Sequence, residues 1–346
     1  MSKKNSNIKA EDTGTGKQIA MVIDLNKCIG CQTCTVACKQ LWTNDPGMEY
    51  MWWNIVNTVP GEGTPKGWEE MGGGWKEGEL VYGKRPSDED FGKAWDFNFD
   101  EVFYKGNKQK EHLRPKGDRP KWGPNWDEDQ GDGEFPNSYY FYLPRLCNHC
   151  KKPACLAACP VKAIYKREED GVVLIDDTKC KGTRMCHRAC PYKRIYFNQE
   201  KNVSQKCVSC FPRLEKNVAP ACVRQCPGRA RHFGYLGDKQ GQIYKLVSKW
   251  KVAMPLHEEF GTEPNVYYIP PILPMTLTPD GIIDETKARV PLNYLKKLFG
   301  GNVEVALETI KSERGKKEGS ELMDILISRK WHDMMNPFHE SPIKDS

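Results

Sequence analysis

The chain has 346 residues and a net charge of +6, and at roughly 150 residues per domain this length corresponds to about two globular units, which excludes a large multidomain enzyme. A mean hydropathy of -0.69 and short apolar runs, such as residues 19–23, exclude a transmembrane helix, which needs roughly 18 consecutive apolar residues. The 15 cysteines form an odd total that cannot be fully paired as disulfides.

Residues 1–18 form a polar tail rich in Lys, Gly and Thr, which we expect to be disordered or loosely docked. The tail lacks the apolar stretch of a secretory signal, so we expect the chain to have no such signal of its own. Export would then require a partner that carries one.

One pattern occurs twice, at residues 22–30 (VIDLNKCIG) and 174–182 (LIDDTKCKG). In each copy a short apolar strand is followed by a turn that carries a cysteine. The repeat predicts two related modules, each of which needs a second cysteine group to complete it.

The segment between Cys38 and Cys147 is too long to be a plain connection. It holds eight of the ten tryptophans, namely Trp42, Trp52, Trp53, Trp68, Trp75, Trp95, Trp122 and Trp126. These side chains either pack on one another in a loop-rich subdomain or anchor a large interface with another subunit. We assign the segment to a partner interface.

Beyond the last cysteine the pattern becomes helical. Residues 244–252 predict a helix and residues 254–271 a proline-rich extended segment, and amphipathic helices are predicted at 292–299, 303–310 and 322–327. These elements carry no cluster of reactive side chains, so we interpret their apolar faces as core or docking surface.

The cysteines form four groups with the C-x2-C frame of iron–sulfur proteins. Group one is Cys28, Cys31, Cys34 and Cys38; group two is Cys147, Cys150, Cys155 and Cys159; group three is Cys180, Cys186 and Cys190; group four is Cys207, Cys210, Cys222 and Cys226. In group three, Thr183 stands where the second cysteine would be. A four-cysteine zinc site is the alternative, but it does not require a third and a fourth cysteine in each group.

Two-cluster ferredoxins exchange their fourth cysteines, so the groups should work in pairs. Groups two and three are neighbours in sequence, and groups one and four are then paired by elimination. The predicted ligand sets are Cys28, Cys31, Cys34 and Cys226; Cys38, Cys207, Cys210 and Cys222; Cys147, Cys150, Cys155 and Cys190; and Cys159, Cys180 and Cys186. This assignment uses every cysteine once.

The three-thiolate set predicts a [3Fe-4S] cluster, because Thr183 offers no soft ligand to hold a fourth iron. The alternative is a [4Fe-4S] cluster with an open iron, which would act as a Lewis acid in a stand-alone iron–sulfur enzyme. We interpret His149 and His187 as residues near the clusters or on the surface, since the cysteine count closes without them.

Basic residues accumulate around the cysteines. Residues 143–235 contain 19 Lys and Arg against 7 Asp and Glu. Thiolate-ligated clusters are anionic, so this excess predicts a counter-charge that helps to set their potentials. Because the basic residues interleave with the cysteines, we expect no nucleic-acid partner.

The chain resembles the iron–sulfur (beta) subunits of molybdopterin oxidoreductases of the DMSO reductase family. The branch is that of respiratory nitrate, perchlorate, chlorate and selenate reductases, dimethylsulfide dehydrogenase and ethylbenzene dehydrogenase, with perchlorate reductase and ethylbenzene dehydrogenase as the nearest members. The matching stretches are residues 24–39, 125–130, 147–150, 163–167 and 255–265.

The resemblance implies an electron relay without catalysis of its own. A molybdopterin-containing alpha subunit would face the cluster of Cys28, and a haem-b gamma subunit or another carrier would face the [3Fe-4S] cluster. Three [4Fe-4S] clusters and one [3Fe-4S] cluster would connect them in a respiratory oxyanion reductase or hydrocarbon dehydrogenase. The resemblance also implies a periplasmic location by co-export with the alpha subunit, with the cytoplasm as the alternative, and no membrane span.

The expected fold is α+β, with a double ferredoxin-like core that binds four clusters. We expect a first module at 19–41 and 200–238, a Trp-rich insertion at 42–140, a second module at 141–199 and a helical C-terminal region at 239–346.

Overall fold

A computed structural model describes residues 17–91, 131–272, 274–316 and 318–341. The strands are β1 (Ile19–Asp24), β2 (Asn54–Val59), β3 (Gly74–Lys76), β4 (Glu79–Val81), β5 (Phe141–Leu146), β6 (Ile164–Lys166), β7 (Val173–Ile175), β8 (Tyr196–Asn198), β9 (Val203–Gln205), β10 (Arg231–Tyr235), β11 (Met254–Pro255), β12 (Val266–Ile269), β13 (Met275–Leu277) and β14 (Ile283–Ala288).

The α-helices are α1 (Thr33–Trp42), α2 (Ala154–Ala157), α3 (Met185–Ala189), α4 (Phe211–Leu214), α5 (Ala221–Arg224), α6 (Gln242–Tyr244), α7 (Leu292–Phe299), α8 (Val303–Gly315) and α9 (Glu321–Leu326). A π-helical segment follows α6 at Lys245–Lys249, and 3₁₀ turns lie at Trp68–Met71, Glu89–Phe91, Glu258–Phe260 and Trp331–Met335.

The main sheet has the strand order β10-β1-β12-β11. β1 runs antiparallel to β10 and parallel to β12, and all six of its residues are buried, as its continuous apolar run predicts. This pairing places residues 19–23 beside residues 231–235, although more than 200 residues separate them in sequence. One strand from each piece of the expected first module is therefore paired, and the module itself stays a prediction.

Short antiparallel pairs make up the rest of the sheet structure: β2 with β5, β3 with β4, β6 with β7, β8 with β9, and β13 with β14. The β2–β5 pair ties the start of the tryptophan-rich segment to the first strand of the expected second module. The β8–β9 hairpin lies on both sides of the boundary expected between residues 199 and 200, and the division into modules stays a prediction.

The C-terminal region is helical only in part. The helix predicted at 292–299 is confirmed as α7, and the other two amphipathic helices form as α8 and α9. The helix predicted at 244–252 is the short α6 followed by the π-helical segment. The extended segment predicted at 254–271 contains β11 and β12, which join the main sheet. β12 reads VYYI, a β-branched and aromatic run that packs well on a pleated surface.

Three tryptophans of the insertion, Trp52, Trp53 and Trp68, are buried within this chain. They belong to its own core and are not available to a partner. Trp42 and Trp75 are half-buried. The remaining three tryptophans of the segment and the stretch 125–130 lie outside the described residues, so the interface assignment of the insertion stays a prediction.

Candidate metal centres

Both copies of the repeated pattern form the same turn before their cysteine. The Asp24 side chain accepts a hydrogen bond from the backbone N–H of Asn26 at 3.0 Å, and the Asp176 side chain accepts one from Thr178 at 3.0 Å. This is the Asx-turn that Asp forms with the backbone two residues on. The two loops that follow, around Cys28 and Cys180, therefore start from the same backbone geometry.

The two loops also continue along the same backbone path. Gly30 and Gly182 have φ of 69° and 64°, and Gln32 and Arg184 both have φ of 56°. A side chain at Gly30 would also lie 2.6 Å from the Tyr142 ring, so only glycine fits there. Because the left-handed residues coincide, the exposed Thr183 occupies the position that Cys31 has in the first copy.

The first site is a cavity lined by Cys28, Cys31, Cys34 and Cys226. Cys31 is exposed to solvent and Cys34 is buried, so this site reaches the surface on one side. Burial raises the pKa of the Cys28 thiol to about 11. The side chain of Thr33 donates to Cys31 Sγ at 3.4 Å and the backbone N–H of Ala230 to Cys226 Sγ at 3.4 Å.

The second site is a cavity lined by Cys38, Cys207, Cys210 and Cys222, and all four of these residues are buried. The indole Nε1 of Trp42 donates to Cys210 Sγ at 3.1 Å. The backbone N–H of Ser209 donates to Cys207 Sγ at 3.4 Å. The second site is thus enclosed by the protein, and its sulfur atoms receive N–H donors from the chain.

The third site brings together Cys147, Cys150, Cys155 and Cys190. Burial raises the pKa of the Cys155 thiol well above its usual range, and the nearby thiols of Cys190, Cys147 and Cys150 raise it further. Thiols that perturb one another in this way lie close together, which is what a shared metal centre requires.

The fourth site brings together Cys159, Cys180 and Cys186. Burial raises the pKa of the Cys186 thiol to about 12; a hydrogen bond with Ser204 lowers it, and the Cys180 and Cys159 thiols raise it. The backbone N–H of Ala163 donates to Cys159 Sγ at 3.2 Å, and that of Ser204 to Cys180 Sγ at 3.4 Å.

The four sites form a series in which thiols of consecutive sites perturb one another, called here the row. Besides the thiols of its own site, Cys34 of the first site raises the pKa of Cys38 in the second. After burial, Cys147 of the third site is the largest cause of the raised pKa of Cys207 in the second. In the same way Cys190 of the third site acts on Cys186 in the fourth. The order is first, second, third, fourth.

Buried cations accompany the row. The Arg231 side chain is 2% exposed, and its Nη2 donates to Cys34 Sγ at 3.2 Å. Its pKa is raised by the surrounding thiols, although burial opposes this. Lys206, also buried, lowers the pKa of Cys155. Such cations counterbalance anionic thiolates in an apolar interior.

Both histidines named in the sequence lie beside the sites and are buried, not on the surface. His187 Nε2 lies 3.0 Å from the Ser204 hydroxyl, which in turn is 3.6 Å from Cys186 Sγ. Burial lowers the pKa of His187 to about 3, so this imidazole is neutral. In His149, Nδ1 accepts from the backbone N–H of Val173 at 3.1 Å.

Sequence reasoning missed several residues at the sites, including Asn54, Ser204 and the inward-facing Trp53. No local spacing identifies them, because Asn54 and Ser204 lie on β2 and β9 and Trp53 lies immediately before β2, all outside the four cysteine groups. Trp42 and Trp53 were noticed only as part of a tryptophan-rich segment.

The donor set fits iron–sulfur clusters and not a single ion. Within the described ranges, no three His, Cys, Asp or Glu side chains are placed to hold one metal ion. The first two cavities are nevertheless each lined by four cysteines, and no described Asp, Glu or His lines them. A cage of several irons and sulfides holds its thiolates farther apart than one ion does. Soft thiolates are the ligands that such clusters require.

Comparisons with known proteins agree with this donor set. Residues 138–236 match the family described as a 4Fe-4S dicluster domain, and residues 19–40 match a 4Fe-4S binding domain. The chain is 56% identical to the selenate reductase subunit beta of Thauera selenatis. The alignment covers 90% of this chain and 96% of that protein. The chain belongs to this family of iron–sulfur beta subunits.

Two further relatives extend the family. The respiratory nitrate reductase subunit beta of Haloferax mediterranei is 56% identical to this chain, and the alignment covers 90% of this chain and 91% of that protein. The dimethylsulfide dehydrogenase subunit beta of Rhodovulum sulfidophilum is 54% identical to this chain, and the alignment covers 92% of this chain and 98% of that protein. The beta subunit of perchlorate reductase is 52% identical, so the expected special closeness to that member is not supported.

The family identifies this beta subunit as an electron-transfer component of an oxidoreductase complex of the nitrate and chlorate reductase type. Its mixed helix and strand content agrees with the predicted α+β class. Among the described residues, no helix has both the length and the apolar character needed to cross a membrane.

Proposed function

We propose that this beta subunit carries electrons along three [4Fe-4S] clusters and one [3Fe-4S] cluster. The first, second and third sites would hold the [4Fe-4S] clusters and the fourth site the [3Fe-4S] cluster. When bound, each cluster supplies reversible one-electron chemistry. The chain's own residues fix the spacing of the sites and the potential of each one.

The row of cysteine sites carries this proposal. The first site opens to solvent at Cys31, and the fourth lies beside the exposed Thr183. The second site, between them, is lined by four buried cysteines. A chain of electron-transfer sites needs terminal sites that its partners can reach and an interior that excludes water, and this arrangement meets both needs.

The missing fourth thiolate supports a [3Fe-4S] cluster in the fourth site. Thr183 has the backbone position of Cys31, and its hydroxyl is a poor ligand for iron compared with a thiolate. The thiols of Cys159, Cys180 and Cys186 therefore offer three soft ligands, one for each iron of a [3Fe-4S] cluster.

The proposed partners are a molybdopterin-containing catalytic subunit at the first site and a haem-b subunit or another electron carrier at the fourth. The beta subunits of selenate and nitrate reductases among the relatives support an oxyanion reductase, and that of dimethylsulfide dehydrogenase supports a dehydrogenase. We propose a periplasmic location, reached by co-export with the catalytic subunit.

Purification of the full chain from its native cells tests the proposal. We expect about 15 iron atoms per chain, the EPR signal of an oxidised [3Fe-4S] cluster, and co-purification of a molybdenum-containing subunit. Zinc in place of iron would refute the relay. A cluster signal that shifts on addition of a hydroxy acid would instead favour the stand-alone Lewis-acid enzyme.

A further inference from the structure

Two buried N–H donors at the second site lack an acceptor. Trp53 is 6% exposed and Asn54 is 1% exposed, and both line the cavity between Cys38, Cys207, Cys210 and Cys222. Trp53 Nε1 and Asn54 Nδ2 have no hydrogen-bond partner among the described residues. Buried N–H groups are almost always hydrogen-bonded, so two unpaired donors at one cavity indicate an acceptor that belongs inside it.

The hydrogen bond that Asn54 Oδ1 makes fixes the orientation of the Asn54 side-chain amide. Asn54 Oδ1 accepts from Arg231 Nη2 at 2.9 Å, and a guanidinium only donates, so the oxygen must face Arg231. The amide nitrogen is therefore the half that remains without a partner. Asn54 lies opposite Leu146 in the β2–β5 pair, and Leu146 lines the same cavity, so the strand holds this side chain in place.

Sulfur is the acceptor that the second site provides. Trp42 already donates its indole N–H to Cys210 Sγ at 3.1 Å, which demonstrates an N–H to sulfur hydrogen bond in this site. No Asp or Glu is among the described residues that line the cavity. Apart from the Ser209 hydroxyl and the Met21 thioether, neither of which accepts from Trp53 Nε1 or Asn54 Nδ2, the side-chain acceptors lining the cavity are the cysteine sulfurs, to which a cluster held by them would add its sulfides.

We propose that Trp53 Nε1 and Asn54 Nδ2 donate hydrogen bonds to sulfur atoms of the cluster in the second site and thereby raise its reduction potential. Reduction adds negative charge to the cluster, and an N–H donor stabilises that charge more in the reduced than in the oxidised state. This inference rests on the proposed function, since it requires an iron–sulfur cluster in the second site.

The test replaces one N–H at a time in the full chain, purified with the subunits that accompany it. Trp53→Phe removes the indole donor and keeps an aromatic ring, and Trp42→Phe does the same for the hydrogen bond already seen at Cys210. Trp250→Phe is the matched control, because Trp250 packs in a separate core cluster and donates to Glu321. Redox titration followed by EPR measures the potential of each cluster.

We expect Trp53→Phe and Trp42→Phe to shift the potential of the same single cluster to more negative values and to leave the other three unchanged. Trp250→Phe should shift none. Unchanged potentials in Trp53→Phe, beside a shift in Trp42→Phe, would overturn the role of Trp53.

A second measurement does not depend on how well Trp53→Phe folds. Chains with ¹⁵N-labelled indole should show hyperfine coupling from tryptophan nitrogen to a reduced cluster, and in Trp42→Phe this coupling should persist because Trp53 remains. Its disappearance there would overturn the inference with the clusters still present. If no iron–sulfur signal is found at all, the proposed function itself fails, so the two failures are distinguishable.

Discussion

Removal of the buried charge of Arg231 should lower the potential of the first site. Arg231 Nη2 lies 3.2 Å from Cys34 Sγ, and the thiols of Cys222, Cys226 and Cys28 also lie near enough to raise its pKa. The side chain therefore lies between the first and the second site. Arg231→Met keeps much of the apolar volume and deletes one positive charge, so its effect reports the electrostatic contribution.

The magnitude follows from Coulomb's law. An electron added to a cluster is spread over its atoms, so we place it about 6 Å from the guanidinium, beyond the bonded sulfur. At an effective dielectric constant of about 20 the attraction is about 3 kcal/mol. Because about 1.4 kcal/mol corresponds to about 59 mV for one electron, the loss amounts to about 120 mV. Relaxation of the site makes this an upper value.

Redox titration monitored by EPR should show the potential of the first site lowered by on the order of 100 mV in Arg231→Met, with a smaller shift at the second site. Arg231→Lys keeps the charge and should stay near the wild-type value. Arg224→Met deletes the same charge from a more exposed position two residues from Cys226 and should have a small effect, since water screens it. Equal shifts in Arg231→Met and Arg224→Met would refute the reasoning.

Three further predictions concern the fourth site and the metal-free chain. Thr183→Cys should convert the [3Fe-4S] cluster to [4Fe-4S] and lower its potential; an unchanged EPR spectrum would contradict the assignment. Ser204→Ala removes the hydroxyl beside Cys186 and should lower the reduction potential of the fourth-site cluster by about 40 mV, the equivalent of about 1 kcal/mol. Ser204→Thr keeps a hydroxyl and should leave this potential unchanged. In the metal-free chain, burial raises the pKa of Cys28 to about 11 and of Cys186 and Cys222 to about 12. The folded chain keeps these thiols neutral, whereas the unfolded chain ionises them above the usual thiol pKa. The melting temperature of the metal-free chain should therefore fall as the pH rises from 9 toward 12, and that of an iron-loaded chain should not show this dependence.

The cysteine spacing carries a large part of the information about the sites. A C-x2-C turn is local, and the Asx-turn that precedes Cys28 and Cys180 is visible as Asp with Asn or Thr two residues on. The sharing of cysteines between distant groups was inferred from the ligand exchange of two-cluster ferredoxins. The first two predicted sets of thiols each line one cavity, and the assignment of all four sets as cluster ligands is the proposal above.

The residues that surround the sulfur atoms could not be predicted in the same way. Tryptophan is favoured both in cores and at interfaces, so composition alone could not tell that Trp53 faces inward at the second site. The parallel pairing of β12 with β1 joins segments more than 200 residues apart, and nothing in either strand specifies the other. Arg231 was counted only as one of many basic residues, and its position between two sites depends on that same sheet.

The contrast between the sites has a common physical origin. With the proposed clusters bound, water would solvate the anionic cluster of the first site through the opening at Cys31, whereas at the buried second site the chain would have to supply all of the stabilisation. It would do so with N–H donors such as Trp42. These groups stabilise the reduced state of a cluster more than the oxidised state, because the reduced state carries more negative charge. The stability and the potential of a buried cluster are therefore coupled, and substitutions that lower the potential of the second site should also weaken its hold on iron.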